Sequence, residues 1–190
     1  MAPILGIYAS SIVPSLQNSY ESIATSTVGS GGTASVTFSS IPQTYSHLQI
    51  RGFGRTGAAY ESDAFNIQFN GDTGNNYGCH YLQGDSVNAS ASSALTQSNL
   101  YVSARMPGST VTSGIFGSAI IDILDYTNTN KNKTIRSLSG FDMNNTSAVV
   151  RVALMSGLWS STSAITSITI LANSGNLQQY SSFALYGMKG

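Results

Sequence analysis

Apolar and polar residues alternate along most of this chain, and this alternation constrains the fold more than any other feature. In "FNIQFN", Phe65, Ile67 and Phe69 point to one side, and the asparagines and glutamine between them point to the other. Such a period of two is that of a β-strand, whose successive side chains face opposite ways. The pattern recurs in "TASVTF", "HLQIR", "VVRVALM" and "YSSFALYG". The sequence therefore predicts an all-β protein of about eight to ten short strands.

Clusters of turn-forming residues separate these strands. They include "GSGG", "NGDTGNN", "DYTNTNKN", "DMNNTS" and "NSGN". Gly, Asn and Asp tolerate positive φ or hydrogen-bond their own backbone, so they favour turns. A turn every 8–12 residues or so is typical of an antiparallel β-sandwich. We expect residues 20–190 to form one such domain, preceded by an extended N-terminal arm over residues 1–19.

Three segments carry more specific expectations. The glycines at 29–32 separate "ESIATSTV" from "TASVTF", which predicts that these two strands pair as a hairpin. The run "FGSAIIDIL" is almost continuously apolar, as expected of a strand buried on both faces. Residues 84–99 are small and low in complexity, so we expect a long loop there.

Charge is scarce in this sequence. Only 8% of the residues are charged, with 8 basic and 8 acidic side chains, against about 25% in an average soluble protein. Nucleic-acid binding relies on many Lys and Arg contacts to phosphates, so the composition argues against it. A nearly neutral surface also does little to hold copies of the chain apart, which favours self-association.

The N-terminal stretch "APILGIYASSIVPSL" is apolar but lacks the features of a leader or a membrane span. The first basic residue is Arg51, whereas a secretory signal begins with positive charge. Pro14 and several serines interrupt the stretch, and it is shorter than the ~20 apolar residues that span a bilayer. We therefore interpret it as an arm that binds a partner through its apolar side chains. These candidate anchors are Ile4, Leu5, Ile7, Tyr8, Ile12, Val13 and Leu16.

The stretch "GFGRTG" matches the spacing of a dinucleotide-binding turn, with glycines at Gly52, Gly54 and Gly57. That motif binds pyrophosphate only where a helix begins at the turn, and an acidic residue follows about 20 positions later. Here the next residues soon alternate as a strand, and Asp72 comes too early. We expect a strand end or bulge that needs glycine, and no cofactor.

The other candidate sites are weak. Asn70, Asp72 and Asn75 offer oxygen ligands, but one carboxylate is too few for a tight calcium site. His47 and His80 lie in no catalytic motif. Glu61 and Asp63 could act as a carboxylate pair, although a solvated loop is the simpler interpretation. We expect no metal site and no catalytic residue.

Two single residues remain. Cys79 cannot form an internal disulfide, because it is the sole cysteine, and we expect it to be buried and inert. Trp159 is the sole tryptophan. It is compatible with a stacking platform for a ligand, with core filling or with an interface anchor.

Several stretches resemble a family of small virion proteins of tailed bacteriophages, of the type found in marine and freshwater phages. They cover most of the chain and carry turn and strand motifs. The matching pieces are "PILGIYASS", "YESIATSTVGSGGTASVTFSSIPQTYSHLQIRG", "FNIQFNGDTGNNY", "IIDILDYTNTNKNKTIRSLSG", "GLWSSTSAITSI" and "SSFALYGMKG".

The resemblance implies a virion structural protein, not an enzyme, built on a sandwich of the jelly-roll type. It is compatible with a head decoration (cement) protein that binds and stabilises the head lattice. The partners would then be the major capsid protein or another virion protein, and further copies of this chain in a trimer. The alternative is a tail or fibre module that binds a host receptor or glycan through residues 84–99 and the surroundings of Trp159. We expect no nucleic-acid or membrane partner, and a virion location after assembly in the host cytoplasm.

Overall fold

The computed structural model describes residues 19–103, 105–144 and 149–189. These residues form fourteen β-strands and no helix, which confirms the predicted all-β class. None of them forms a helix long and apolar enough to cross a membrane. The strands are β1 (Tyr20–Thr27), β2 (Ser35–Phe38), β3 (His47–Gly54), β4 (Ser62–Asp63), β5 (Phe65–Phe69), β6 (Tyr77–Gly84), β7 (Ala89–Gln97), β8 (Leu100–Tyr101), β9 (Met106–Pro107), β10 (Gly117–Leu124), β11 (Lys133–Phe141), β12 (Arg151–Trp159), β13 (Ile168–Ala172) and β14 (Ser182–Met188).

The strands form two main antiparallel sheets. The larger sheet has eight strands in the order β1-β14-β3-β10-β11-β12-β6-β7. The smaller sheet has four strands in the order β2-β13-β5-β8, and β4 and β9 form a separate two-stranded pair. Strands that are distant in the chain lie side by side. For example, the first strand, β1, pairs with the last, β14.

The core lies between the two main sheets, as in a β-sandwich. The larger sheet contributes residues such as Leu48, Ile50 and Leu185, and the smaller sheet contributes Ile67 and Ile170, all of which are fully buried. Phe183 and Leu185 share the inner side of β14, as the alternation in "YSSFALYG" predicts. Ser182, Ala184 and Tyr186 face the other way and are partly exposed, so period-two patterning places this core correctly.

β8, the edge strand of the smaller sheet, packs against β6 and β12 of the larger sheet, and β9 packs against β10 and β11. Leu100 of β8 and Met106 of β9 are almost completely buried there. Gly157 of β12 leaves room for Leu100, because a Cβ at position 157 would lie 2.8 Å from the Leu100 side chain. Gly117 of β10 makes room for Met106 in the same way.

Three of the local predictions are wrong. β1 and β2 do not form a hairpin: β1 pairs with β14 in the larger sheet, and β2 pairs with β13 in the smaller one. Most of 84–99 is not a loop, because Ala89–Gln97 is strand β7 and pairs with β6. The run "FGSAIIDIL" becomes β10 and is buried on one face only, since Ile120 points outward and is 44% exposed.

The glycines of "GFGRTG" serve aromatic packing. A Cβ on Gly52 would lie 2.7 Å from the Phe183 ring, and one on Gly54 would lie 2.6 Å from the Phe65 ring. These two rings meet edge to face, 5.3 Å apart. Both glycines belong to β3, and Gly54 ends it, which agrees with the prediction of a glycine-dependent strand end.

A buried lysine fixes two loops to the larger sheet. Lys133 begins β11 and is completely buried, and its ammonium group donates to the carbonyl oxygens of Asn128, Lys131 and Thr162. Burial lowers the pKa of Lys133, and the nearby charge of Lys131 lowers it further. The three carbonyl acceptors compensate for the lost hydration of the charge, so this residue ties the turn after β10 to the loop after β12.

Both borders of the larger sheet are open. β1 pairs only with β14, and β7 pairs only with β6, within the part of the chain that the structure describes. β7 is nine residues long and exposed along most of its length. The strand contains no charged residue and no proline, which are the usual means of protecting an edge.

We expect Gly52→Ala to lower the free energy of unfolding by about 1–3 kcal/mol, because the new methyl group would displace a buried ring. Urea denaturation followed by intrinsic fluorescence measures this. Gly29→Ala is the matched control, since a Cβ there would meet nothing within 4 Å. Equal stability of the two variants would contradict the packing role of Gly52.

Candidate interaction surface

An apolar row crosses the outer face of the larger sheet. Ile120 of β10 lies opposite Leu138 of β11, which lies opposite Leu154 of β12, which in turn lies opposite Leu82 of β6. These four residues, which we call the outer apolar row, are 44%, 52%, 51% and 57% exposed in this order. Single exposed apolar residues are common on proteins, but a contiguous set of them marks an interaction surface.

Two shallow grooves flank the outer apolar row. One, of about 640 Å³, has Ile120, Leu138 and Val152 in its lining. The other, of about 730 Å³, has Leu82 and Leu154 in its lining. Val152 is 58% exposed and widens the apolar area. Leu82, Leu138 and Leu154 also line a third depression with Val152, so the row is an uneven apolar surface into which a partner can place side chains.

Toward β1, the outer face becomes polar and aromatic. Arg136 donates to Asp122 Oδ2 at 2.8 Å, and Gln49 donates to Asp122 Oδ1 at 2.8 Å. Arg51 donates in turn to Gln49 Oε1 and lies over the ring of Tyr186 at 5.3 Å. Asp122 neutralises the charge of Arg136, whereas Arg51 lies between the rings of Tyr20 and Tyr186. The face therefore combines an apolar half with a polar, aromatic half.

Sequence reasoning missed this surface, although it identified part of its pattern. The alternation in "VVRVALM" predicts that Val150, Val152 and Leu154 share one face, opposite Arg151. Val152 and Leu154 do share a face, but it is the outer one, and the alternate residues Ala153 and Met155 are buried. The available signal was that β12 is apolar at both odd and even positions, which periodicity alone cannot assign to a face.

Trp159 is a core residue. It is 2% exposed, and its ring lies 5.4 Å from that of Phe69 and 6.3 Å from that of Tyr77. Its indole Nε1 donates to Asp72 Oδ2 at 2.8 Å. Of the three interpretations left open, core filling is the one that this position supports, and the buried ring offers no platform to a ligand.

The polar turn "NGDTGNN" is held together by its own hydrogen bonds. Asp72 also accepts from the backbone of Gly74 at 2.8 Å and from Asn76 at 3.0 Å. The Trp159 hydrogen bond is the largest cause of the lowered pKa of Asp72, followed by that from Asn76. Asn70 Oδ1 accepts from the backbone of Thr166. No group of three or more metal-ligating His, Cys, Asp or Glu side chains occurs among the residues described.

The two histidines lie in different parts of the fold. His47 Nδ1 accepts a hydrogen bond from the backbone of Asp125 at 2.9 Å, which makes His47 part of the turn after β10. His80 lies on the outer face, in the lining of the second groove. The prediction that neither histidine is catalytic stays a prediction.

The remaining candidates divide between exterior and interior. Glu61 is exposed, whereas Asp63 is 7% exposed and accepts from the backbone of Ser174 at 3.0 Å. The two carboxylates therefore have different surroundings. Cys79 is 2% exposed, which confirms its predicted burial, and burial raises the pKa of its thiol. The proposed arm anchors at positions 4–16 lie outside the described residues.

No protein-family model matches the sequence, and none of the curated proteins matches it.

The lowered pKa of Asp72 predicts a pH-dependent contribution to stability. An unfolded Asp titrates near ~3.9, so the folded state binds fewer protons here than the unfolded chain does. The contribution is therefore present above the unfolded pKa and is lost as the pH falls through the lower folded pKa. We expect Asp72→Asn to lower the free energy of unfolding by about 1 kcal/mol near neutral pH, and by less under acid conditions.

Urea titrations at several pH values, followed by the fluorescence of Trp159, measure this difference. Glu61→Gln removes an exposed carboxylate and serves as the control, for which we expect no change at any pH. A loss for Asp72→Asn that is the same in acid as at neutral pH would rule out the charge as its origin.

Proposed function

We propose that this chain is a non-enzymatic structural protein of a phage virion, a decoration protein that binds and stabilises the head lattice. The observation that carries the proposal is the outer apolar row, a contiguous apolar surface on a molecule with few charges. A monomer that never docked would gain nothing by exposing it, since such patches promote association. The resemblance of the sequence to virion proteins supports the same assignment.

The order of the strands supports the jelly-roll part of the proposal. β1 pairs with β14, β2 with β13, β3 with β10, and β5 with β8, all antiparallel. The first strand thus pairs with the last, and the second with the second-last. A long antiparallel ribbon that folds into two four-stranded sheets produces this order of pairing. The jelly roll of viral capsid proteins is such an arrangement. β11, β12, β6 and β7 then extend one of the two sheets.

The area of the apolar half suits one partner's share of a modest interface. Strands lie about 4.8 Å apart and rise about 3.3 Å per residue, so the outer face of the four strands that carry the row, about eight residues long, covers roughly 500 Å², polar side chains included. A standard interface takes about 800 Å² from each partner. Completing the burial of each half-exposed side chain of the row contributes about 1 kcal/mol. Repetition of the contact over a lattice adds avidity when the copies are linked to one another, and a trimer links three copies.

The N-terminal arm supplies the rest of the contact in this proposal. Its apolar residues lie at positions 4–16, and no charge interrupts them. An extended segment of this kind adds a strand to a neighbour's sheet or fills a groove on the capsid protein. Trimerisation places three such arms on the lattice at once, which multiplies a weak individual contact.

We expect Leu154→Arg to reduce occupancy on phage heads by at least about tenfold, because it places an unpaired charge in the apolar interface. Cosedimentation of purified protein with undecorated heads measures occupancy. Tyr180→Arg is the matched control, since Tyr180 is 64% exposed and lines neither of the two grooves beside the row. Full occupancy by a folded Leu154→Arg protein would refute docking through the outer apolar row.

Deleting residues 2–18 tests the arm separately. We expect the truncated protein to fold, since the described sandwich begins at residue 19, and to bind heads at least about tenfold more weakly. Circular dichroism checks the fold, and the same cosedimentation measures binding. Undiminished occupancy would exclude the arm as a contact.

A further inference from the structure

A pocket of about 340 Å³ opens on the inner side of the larger sheet, beneath β6 and β12. Three tyrosines line it, Tyr60, Tyr81 and Tyr101, together with Asp63 and Arg105. They come from three separate stretches of the chain, around residues 60–63, 81 and 101–105, which the sandwich brings together. The volume lies within the range of small-ligand pockets, which begins at about 300 Å³.

The tyrosines supply aromatic surface that water can reach. Tyr60 is 64% exposed, at the mouth of the pocket. Tyr101 is held in place because its hydroxyl group donates to Asn173 Oδ1 at 3.1 Å, and Asn173 also lines the pocket. Exposed tyrosines offer a ring face for stacking and a hydroxyl group for hydrogen bonding at little cost in conformational freedom.

Arg105 has unused hydrogen-bonding capacity at this pocket. Its Nη1 donates to Ser62 Oγ at 3.0 Å, but its Nε is buried without a partner among the residues described. Burial lowers the pKa of Arg105, and the nearby Arg151 lowers it further. A buried donor without an acceptor is rare in native proteins and indicates that a water or a ligand belongs nearby.

Asp63 provides the acceptor on the other side. It is 7% exposed, and one of its oxygens accepts from the backbone of Ser174 at 3.0 Å, which fixes the carboxylate. The pocket thus holds a fixed acceptor and a guanidinium donor beside exposed aromatic rings. A phosphate or another strong anion suits it poorly, because Asp63 would repel it.

We propose that this pocket binds one neutral pyranose ring of a glycan. A sugar ring carries hydroxyl groups that donate to a carboxylate and accept from a guanidinium. Its C–H face carries partial positive charge and meets the negative face of an aromatic ring. Nucleobases would also stack, but they lack the array of hydroxyl groups that pairs with Asp63 and Arg105 together.

The pocket is separate from the outer apolar row. Tyr81 and Leu82 are neighbours on β6 and point to opposite faces of the sheet, as successive residues of a strand must. The proposal therefore goes beyond head binding and does not depend on it. A protein docked through the outer row would keep this pocket open to solvent.

The test is saturation-transfer NMR of the full chain with methyl glucoside, methyl mannoside, methyl galactoside and the methyl glycoside of N-acetylglucosamine. We expect at least one to bind with a dissociation constant of about 1–20 mM, as one ring in a shallow site allows. Tyr60→Ala and Arg105→Met should each weaken that binding at least about fivefold.

Matched controls distinguish the site from general surface effects. Tyr180 is also 64% exposed but lies outside the pocket, and Arg136 lies on the outer face. Tyr180→Ala and Arg136→Met should therefore leave binding unchanged. Absence of binding by every glycoside in the panel would overturn the proposal, as would binding that survives Tyr60→Ala, a change at an exposed side chain that leaves the core intact.

Discussion

The larger sheet has twice as many strands as the smaller one, and this difference determines how the inner face of the larger sheet is covered. Eight strands face four, so the smaller sheet alone does not cover the larger one. Met106 of β9 packs against Gly117 of β10, and Leu100 of β8, at the edge of the smaller sheet, packs against Gly157 of β12; both glycines allow this close approach. Not every buried polar group on this inner face is hydrogen-bonded. The hydroxyl groups of Ser137 and Ser139 are buried without a partner among the described residues. The tyrosine-lined pocket beneath β6 and β12 opens on the same face.

The alternation of side chains predicted the all-β class and the main long strands, because a period of two is that of a β-strand. It missed β7, which has no apolar face, and it predicted eight to ten strands where the described residues form fourteen. It did not predict which face of a strand is buried where both faces are apolar. In β12, Leu154 and Met155 are equally plausible core residues by polarity, and only the second is buried. The choice depends on shape: Gly157 lies on the inner face, and a larger residue there would collide with Leu100, which is distant in sequence. Such a constraint is visible only after the sheets are assembled.

Strand pairing was the other limit of the sequence. Gly-rich turns suggest hairpins between neighbouring strands, but here the turn at 29–32 carries the chain from one sheet to the other. The candidate sites show the same dependence on assembly. Trp159 and Asp72 were each considered alone, and their hydrogen bond joins residues 87 positions apart. Asp63 and Arg105 likewise meet at one pocket from distant parts of the chain, so neither residue type in isolation indicated a site.

The free border at β7 has a consequence for the protein in concentrated solution. Nine residues without charge or proline leave a row of amides and carbonyls open to any extended backbone, apart from a local irregularity near Thr96. Serine and alanine side chains are too small to obstruct an incoming chain. No described residue covers this side, so an additional strand can pair here, and storage at high concentration favours edge-to-edge association. A single lysine introduced into the middle of β7 would remove this tendency without touching the core.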